Sequence, residues 1–212
     1  MRKISSFISL LLICLAFTSC VDYVQSVTFK NGKYHMYYKV TLSKLLFAMM
    51  DEDPEEIFRG FDEEALGEVP ENASVSPVNT DLEVGAEVKF GIDPKTTDET
   101  EKAFLPTIAG SKCYIPFILG ENESIADSVG TDTDNDYGEA FAEAIMSSAK
   151  CRILISKGVI PSIETAYFEG KGNQNYSIPV FDYGDDNCLE IPFIVLSQKG
   201  MYRTDRVVVI RK

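Results

Sequence analysis

The chain has 212 residues with 33 acidic against 20 basic side chains, a formal net charge of -13, and a length that suits one domain with a well-filled core. A surface this acidic argues against nucleic acid as a partner and against peripheral adhesion to anionic lipid, because both need clustered Lys and Arg. A single histidine and no tryptophan remove any multi-histidine metal site, leave a Ser-His-Asp triad only His35 to use, and disfavour a carbohydrate-stacking platform.

The chain opens on Arg2 and Lys3, followed by an apolar run from Phe7 to Phe17 that is shorter than the roughly 20 residues of a spanning helix. A secretory signal fits this pattern better than a membrane span. The run closes as Phe17-Thr18-Ser19-Cys20, with a small residue directly before the cysteine. This ending resembles the lipobox of bacterial lipoproteins, in the looser form, with Phe17 where Leu is usual, that is similar to spirochaete and Bacteroidetes examples. The resemblance implies that residues 1–19 are a signal peptide and that residues 20–22 form the lipidated N-terminus. Residues 23–212 are then one envelope domain, held in the inner or outer membrane by acyl chains such as palmitate on Cys20. Two or three chains, at about 0.8 kcal/mol per buried methylene, hold far more firmly than one. Loss of Arg2 and Lys3 takes the net charge from -13 to -15.

Beyond the anchor, Tyr23 to Phe29 has strand character, and Lys30-Asn31-Gly32-Lys33 carries the Asn-Gly pair of a tight hairpin. On the return strand Tyr34, Met36, Tyr38 and Val40 share one face, and His35, Tyr37, Lys39 and Thr41 the other. Leu42 to Met50 changes to helical spacing, with a stripe of Leu45, Leu46, Met49 and Met50. Asp53-Pro54-Glu55-Glu56 reads as the capped start of a second short helix that turns Ile57, Phe58 and Phe61 to the core. Residues 68–81 have loop composition and could also form an extended arm, whereas Leu82 to Ile92 alternates with period two and predicts a strand.

A third short helix is expected from Thr96 to Glu99 onwards, ending or kinking at Pro106, then a strand over Cys113 to Leu119. Gly120 to Asp136 is a polar, acidic loop, and Tyr137 to Lys150 has the pattern of a helix, with Phe141, Ala144, Ile145 and Met146 on one side. Five strands follow, Cys151–Ser156, Ile163–Phe168, Tyr176–Phe181, Cys188–Leu196 and Met201–Ile210, joined by short turns that predict an antiparallel meander. The fold class expected is therefore α+β: an N-terminal β-hairpin, several short helices and a C-terminal antiparallel β-meander. Ile-Pro pairs at Pro116, Pro161, Pro179 and Pro192 are too irregularly spaced for a repeat and mark edges or bulges, where no ladder donor is needed.

The sharpest local motif is Asp132-Thr133-Asp134-Asn135-Asp136 with Glu143 behind it. Carboxylates of Asp132, Asp134, Asp136 and Glu143 could converge on Ca²⁺, as alternate acids do in calcium loops. Against this, Tyr137 stands where the sharp-turn glycine belongs, and Asp136 can simply cap the following helix. Cys113, Cys151 and Cys188 each flank an apolar run and read as buried small residues; they are also disulfide candidates in an oxidising compartment, though sequence does not choose a pair. The expected function is a non-enzymatic envelope lipoprotein whose partners are the bilayer, through acylated Cys20, and an envelope protein. A calcium- or small-ligand-binding module using residues 132–143 is the alternative, ahead of a hydrolase, for which no nucleophile or phosphate-loop signature is present.

Overall fold

A computed structural model describes residues 21–50, 70–118, 149–196 and 200–212. Asn31 and Gly32 take φ of 55° and 78°, the left-handed pair that matches a two-residue turn to the twist of its strands. They join β1 (Val21–Lys30) to β2 (Lys33–Ser43), paired from Val21 opposite Leu42 to Lys30 opposite Lys33. β4 (Glu83–Ile92) lies on the other side of β2; of the face expected from the alternation, Val84, Val88, Phe90 and Ile92 are buried and Ala86 is half-buried. Within the loop-like stretch 68–81 the chain forms β3 (Ser74–Asn79), the edge beside β4. Pro77 is tolerated there because an edge strand leaves part of its donors without a ladder role.

The remaining strands are β5 (Thr107–Ala109), β6 (Lys112–Pro116), β7 (Lys150–Ser156), β8 (Ile163–Gly170), β9 (Tyr176–Ile178), β10 (Val180–Tyr183), β11 (Asp186–Pro192) and β12 (Tyr202–Arg211). They complete a seven-stranded sheet, β10-β11-β7-β1-β2-β4-β3, and a five-stranded sheet, β5-β6-β12-β8-β9. One hydrophobic cluster draws on both: Val27, Met36, Ile153 and Ile191 from the larger sheet, Ile115, Phe168, Val207 and Val209 from the smaller. Two sheets sharing one core make a β-sandwich. Tyr23 of β1 meets Phe117, just beyond β6, edge to face at 5.6 Å.

The α+β expectation is overturned, for the described residues are mostly β and form two sheets. Among the described residues the α-helices are α1 (Lys44–Met50) and α2 (Glu99–Lys102), too short to stand without a sheet beneath them. In α1 the expected stripe fails at Leu45, which is half exposed, while Phe47 is buried; β2 runs on to Ser43 and shifts the helix start. α2 is capped by Asp98, whose carboxylate accepts from the Glu101 amide at 2.8 Å, and it ends before Pro106. The second helix expected from Asp53, the Gly120–Asp136 loop and the helix expected over 137–150 lie outside the described residues, apart from the last two positions. Of these, Ala149 is buried and Lys150 opens β7.

The C-terminal meander is also corrected. β7, β10 and β11 belong to the larger sheet, β8, β9 and β12 to the smaller, and β7 pairs parallel with β1. Facing sheets lie about 10 Å apart, a gap that a connection of hairpin length can cross, so short turns did not imply adjacent strands. The segment expected as one strand over Tyr176–Phe181 breaks at Pro179, with β9 in one sheet and β10 in the other. Proline has no N–H to continue a ladder. Pro116 and Pro192 likewise stand at the last position of β6 and β11.

Candidate functional site

β1 starts at Val21, the residue after Cys20, so no linker separates the two. Val21 is opposite Leu42, and one step further along the ladder Ser43 is opposite Glu83. The parallel strand β7 begins here too, with Lys150 beside Asp22, and β11 ends with Pro192 opposite Lys150. One end of the larger sheet therefore gathers the start of β1, the start of α1, the β3–β4 turn, the start of β7 and the end of β11.

The β3–β4 turn is tightly closed. Thr80 donates its amide to the Glu83 carbonyl at 2.9 Å, and its hydroxyl oxygen accepts from the Glu83 amide at 3.0 Å and the Leu82 amide at 3.3 Å. The Lys44 amide donates to the Leu82 carbonyl at 2.8 Å, and the Lys44 ammonium to Asn79 Oδ1 at 2.7 Å, which ties α1 to the turn. Polar residues normally occupy such tips. Here Leu82 is 75% exposed and Leu45, beside Lys44, 50%.

Several of the charges along this end are paired. Arg152 Nη1 lies 3.1 Å from Asp22 and its Nε 3.7 Å from Glu190, Lys150 is 3.1 Å from Glu190, and Lys39 is 2.9 Å from Glu83. Pairs this open to water contribute about 0–1 kcal/mol each. Their effect is to offset, at this end, part of the acidity of the whole chain. Behind them, Tyr23 donates its hydroxyl to Gln25 Oε1 at 3.2 Å and Gln25 Nε2 donates to the Pro116 carbonyl at 2.7 Å, a buried polar link from one sheet to the other.

His35 stands exposed on β2, in an open, shallow depression of about 350 Å³ lined also by Ser26, Thr28, Tyr37 and Lys89. The Lys89 ammonium bonded to Glu87, with the Tyr37 hydroxyl as a second donor, holds the Glu87 carboxyl below the ordinary carboxylate range. Burial, then the bond to Glu87, pushes the Tyr37 hydroxyl up. Neither group has the near-neutral pKa of a general base.

The disulfide candidates Cys113, Cys151 and Cys188 are free and buried. Cys151 is opposite Ile191 and Cys188 opposite Leu154, so the two point to opposite faces of one sheet. Cys113 belongs to the facing sheet, beyond the Cα separation of under 7 Å that a disulfide requires. Burial pushes the thiols of Cys113 and Cys188 up to about 11 and raises that of Cys151 as well. At neutral pH all three remain protonated and are poor nucleophiles.

Cys20 and the proposed metal ligands Asp132, Asp134, Asp136 and Glu143 lie outside the described residues. Among the described residues no group of three or more His, Cys, Asp or Glu could hold a metal ion, and no helix is long and apolar enough to cross a membrane. No protein-family model and no curated protein matches the chain. What the sequence reasoning missed is a matter of parity and place: Gln25 shares the inward phase of Tyr23 and Val27, and Leu82 is an apolar residue in an otherwise polar Thr80-Asp81-Leu82-Glu83 turn.

Proposed function

We propose that the protein is a cell-envelope lipoprotein, anchored in the inner or outer membrane by acylated Cys20, whose β-sandwich binds an envelope protein and catalyses no reaction. The observation that carries this reading is the start of β1 at Val21: the residue after the lipobox-like cysteine is already in the central part of a sheet. An anchor attached there holds the folded body at the bilayer surface with no slack. The binding role is supported by β10, an edge strand with Phe181 43% and Tyr183 58% exposed. Tyr183 is opposite Asp186, and Asp186 is opposite Ser156, at the far end of β7 from Lys150. Tyr183 thus lies at the end of the sheet opposite Val21, and edge strands with exposed apolar groups serve as docking surfaces.

The test is expression of the full chain in a diderm bacterium with labelled palmitate. Cys20→Ser is expected to abolish labelling and leave the precursor uncut; label retained by that variant refutes the anchor. A Phe181→Ser/Tyr183→Ser double variant is expected to lose a stoichiometric envelope partner while keeping its melting temperature, and an unchanged set of co-purifying proteins would count against the docking edge.

A further inference from the structure

Resting on the anchor reading, we infer that Leu82 and Leu45 enter the bilayer at the headgroup–acyl boundary, so that the sandwich stands end-on with β10 pointing away from the membrane. The lateral spacing of neighbouring strands is about 4.8 Å, and β1, β2 and β4 are adjacent, which places the Leu82 turn roughly 10 Å across the sheet from the start of β1. Along the strands, Val21 is level with Leu42 and Val84, and the chain runs on through Glu83 to Leu82, so the turn projects beyond the level of Val21. Acyl chains on Cys20, the residue before Val21, would bring that turn to the bilayer surface.

Three further features fit a lipid surface as the occupant. Leu82 is 75% exposed at a turn tip closed by three hydrogen bonds to Thr80, so its exposure is built into the turn. Leu45 is held on the same end by the bond from the Lys44 amide to the Leu82 carbonyl. Three of the nearby carboxylates, Glu83, Asp22 and Glu190, are paired with Lys or Arg, which lowers, beside the exposed Asp81, the repulsion that an acidic protein would meet at phosphate headgroups.

The absence of tryptophan from the chain makes the test direct. Leu82→Trp and, separately, Leu45→Trp give single-tryptophan proteins, as does Tyr183→Trp at the far end. Each full-length, palmitate-labelled protein is reconstituted in phosphatidylcholine vesicles with or without bromine on the upper acyl carbons. The expected result is a blue-shifted emission that loses most of its intensity to brominated lipid for Trp at 82 and 45, with no loss at 183. Labelled protein whose Trp at 82 and 45 is not quenched, whether wet or covered by protein, overturns the inference and leaves the anchor standing. Equal quenching at 82 and 183 overturns the end-on orientation. Protein without label that fails to float with vesicles removes the anchor and the inference together.

Discussion

Gln25 is fully buried between the sheets, with its amide accepting from the Tyr23 hydroxyl and donating to the Pro116 carbonyl. Gln25→Leu keeps most of the volume and removes both bonds. A buried donor or acceptor that loses its partner costs about 1–3 kcal/mol, so the two together cost about 2–6 kcal/mol. Burial of a leucine in place of the amide returns about 1.5–3 kcal/mol. The expected net loss is about 2 kcal/mol, a fall of roughly 4–8 °C in melting temperature for a domain of this size. Thermal melts followed by circular dichroism would measure it, alongside a cycle with Tyr23→Phe. In the Gln25→Leu background the tyrosine substitution should cost less than in the parent by about 1 kcal/mol, because the bond to Gln25 is already gone. A Gln25→Leu protein that melts at or above the parent, with no coupling to Tyr23, would refute the claim that this polar link stabilises the sandwich.

At Gly85 a Cβ would lie 2.0 Å from the Val40 carbonyl oxygen and 2.8 Å from Thr41 Cα. Gly85→Ala must therefore push β4 off β2, and a loss of at least about 2 kcal/mol is expected in chemical denaturation. The three buried thiols should resist a maleimide at pH 7 in the native protein and react on unfolding; rapid native labelling of any of Cys113, Cys151 or Cys188 would contradict their burial. The Lys157 ammonium, bonded to Asp182 at 2.9 Å, holds that carboxyl below its ordinary range. A depressed carboxyl stabilises the fold at neutral pH and loses that effect as pH falls through its folded pKa. Lys157→Met should raise the Asp182 pKa in a carboxyl-carbon NMR titration, and an unmoved titration would show the ion pair to be without effect.

Much of the local structure was legible in the residues. Asn31-Gly32 announces the first hairpin because few other pairs reach two left-handed conformations in succession, and the period of two over 82–92 sets which side chains of β4 turn inward. Periodicity fails where burial is two-sided. Cys188 and Val208 are fully buried although their registers place them on the outer faces, Val208 between Tyr114 and Tyr167 with Arg206 stacked over Tyr114 at 4.6 Å. Of the apolar stripes read as helices, the one over 42–50 forms a helix only from Lys44, because β2 continues through Ser43.

The sequence by itself determined the acidity, which is a matter of composition, and the hairpin turn and strand phases, which depend on residues within about ten positions of one another. The tertiary structure alone decided which sheet each strand joined. The parallel pairing of β1 with β7 and the division of Tyr176–Tyr183 between two sheets at Pro179 join segments far apart in the chain. Their selection rests on shared burial across a gap of about 10 Å, which leaves no periodic trace in either strand. The same holds for Leu45 and Leu82, which come to the same end of the sheet as Val21 only because β2 and β4 pair through Ser43 and Glu83.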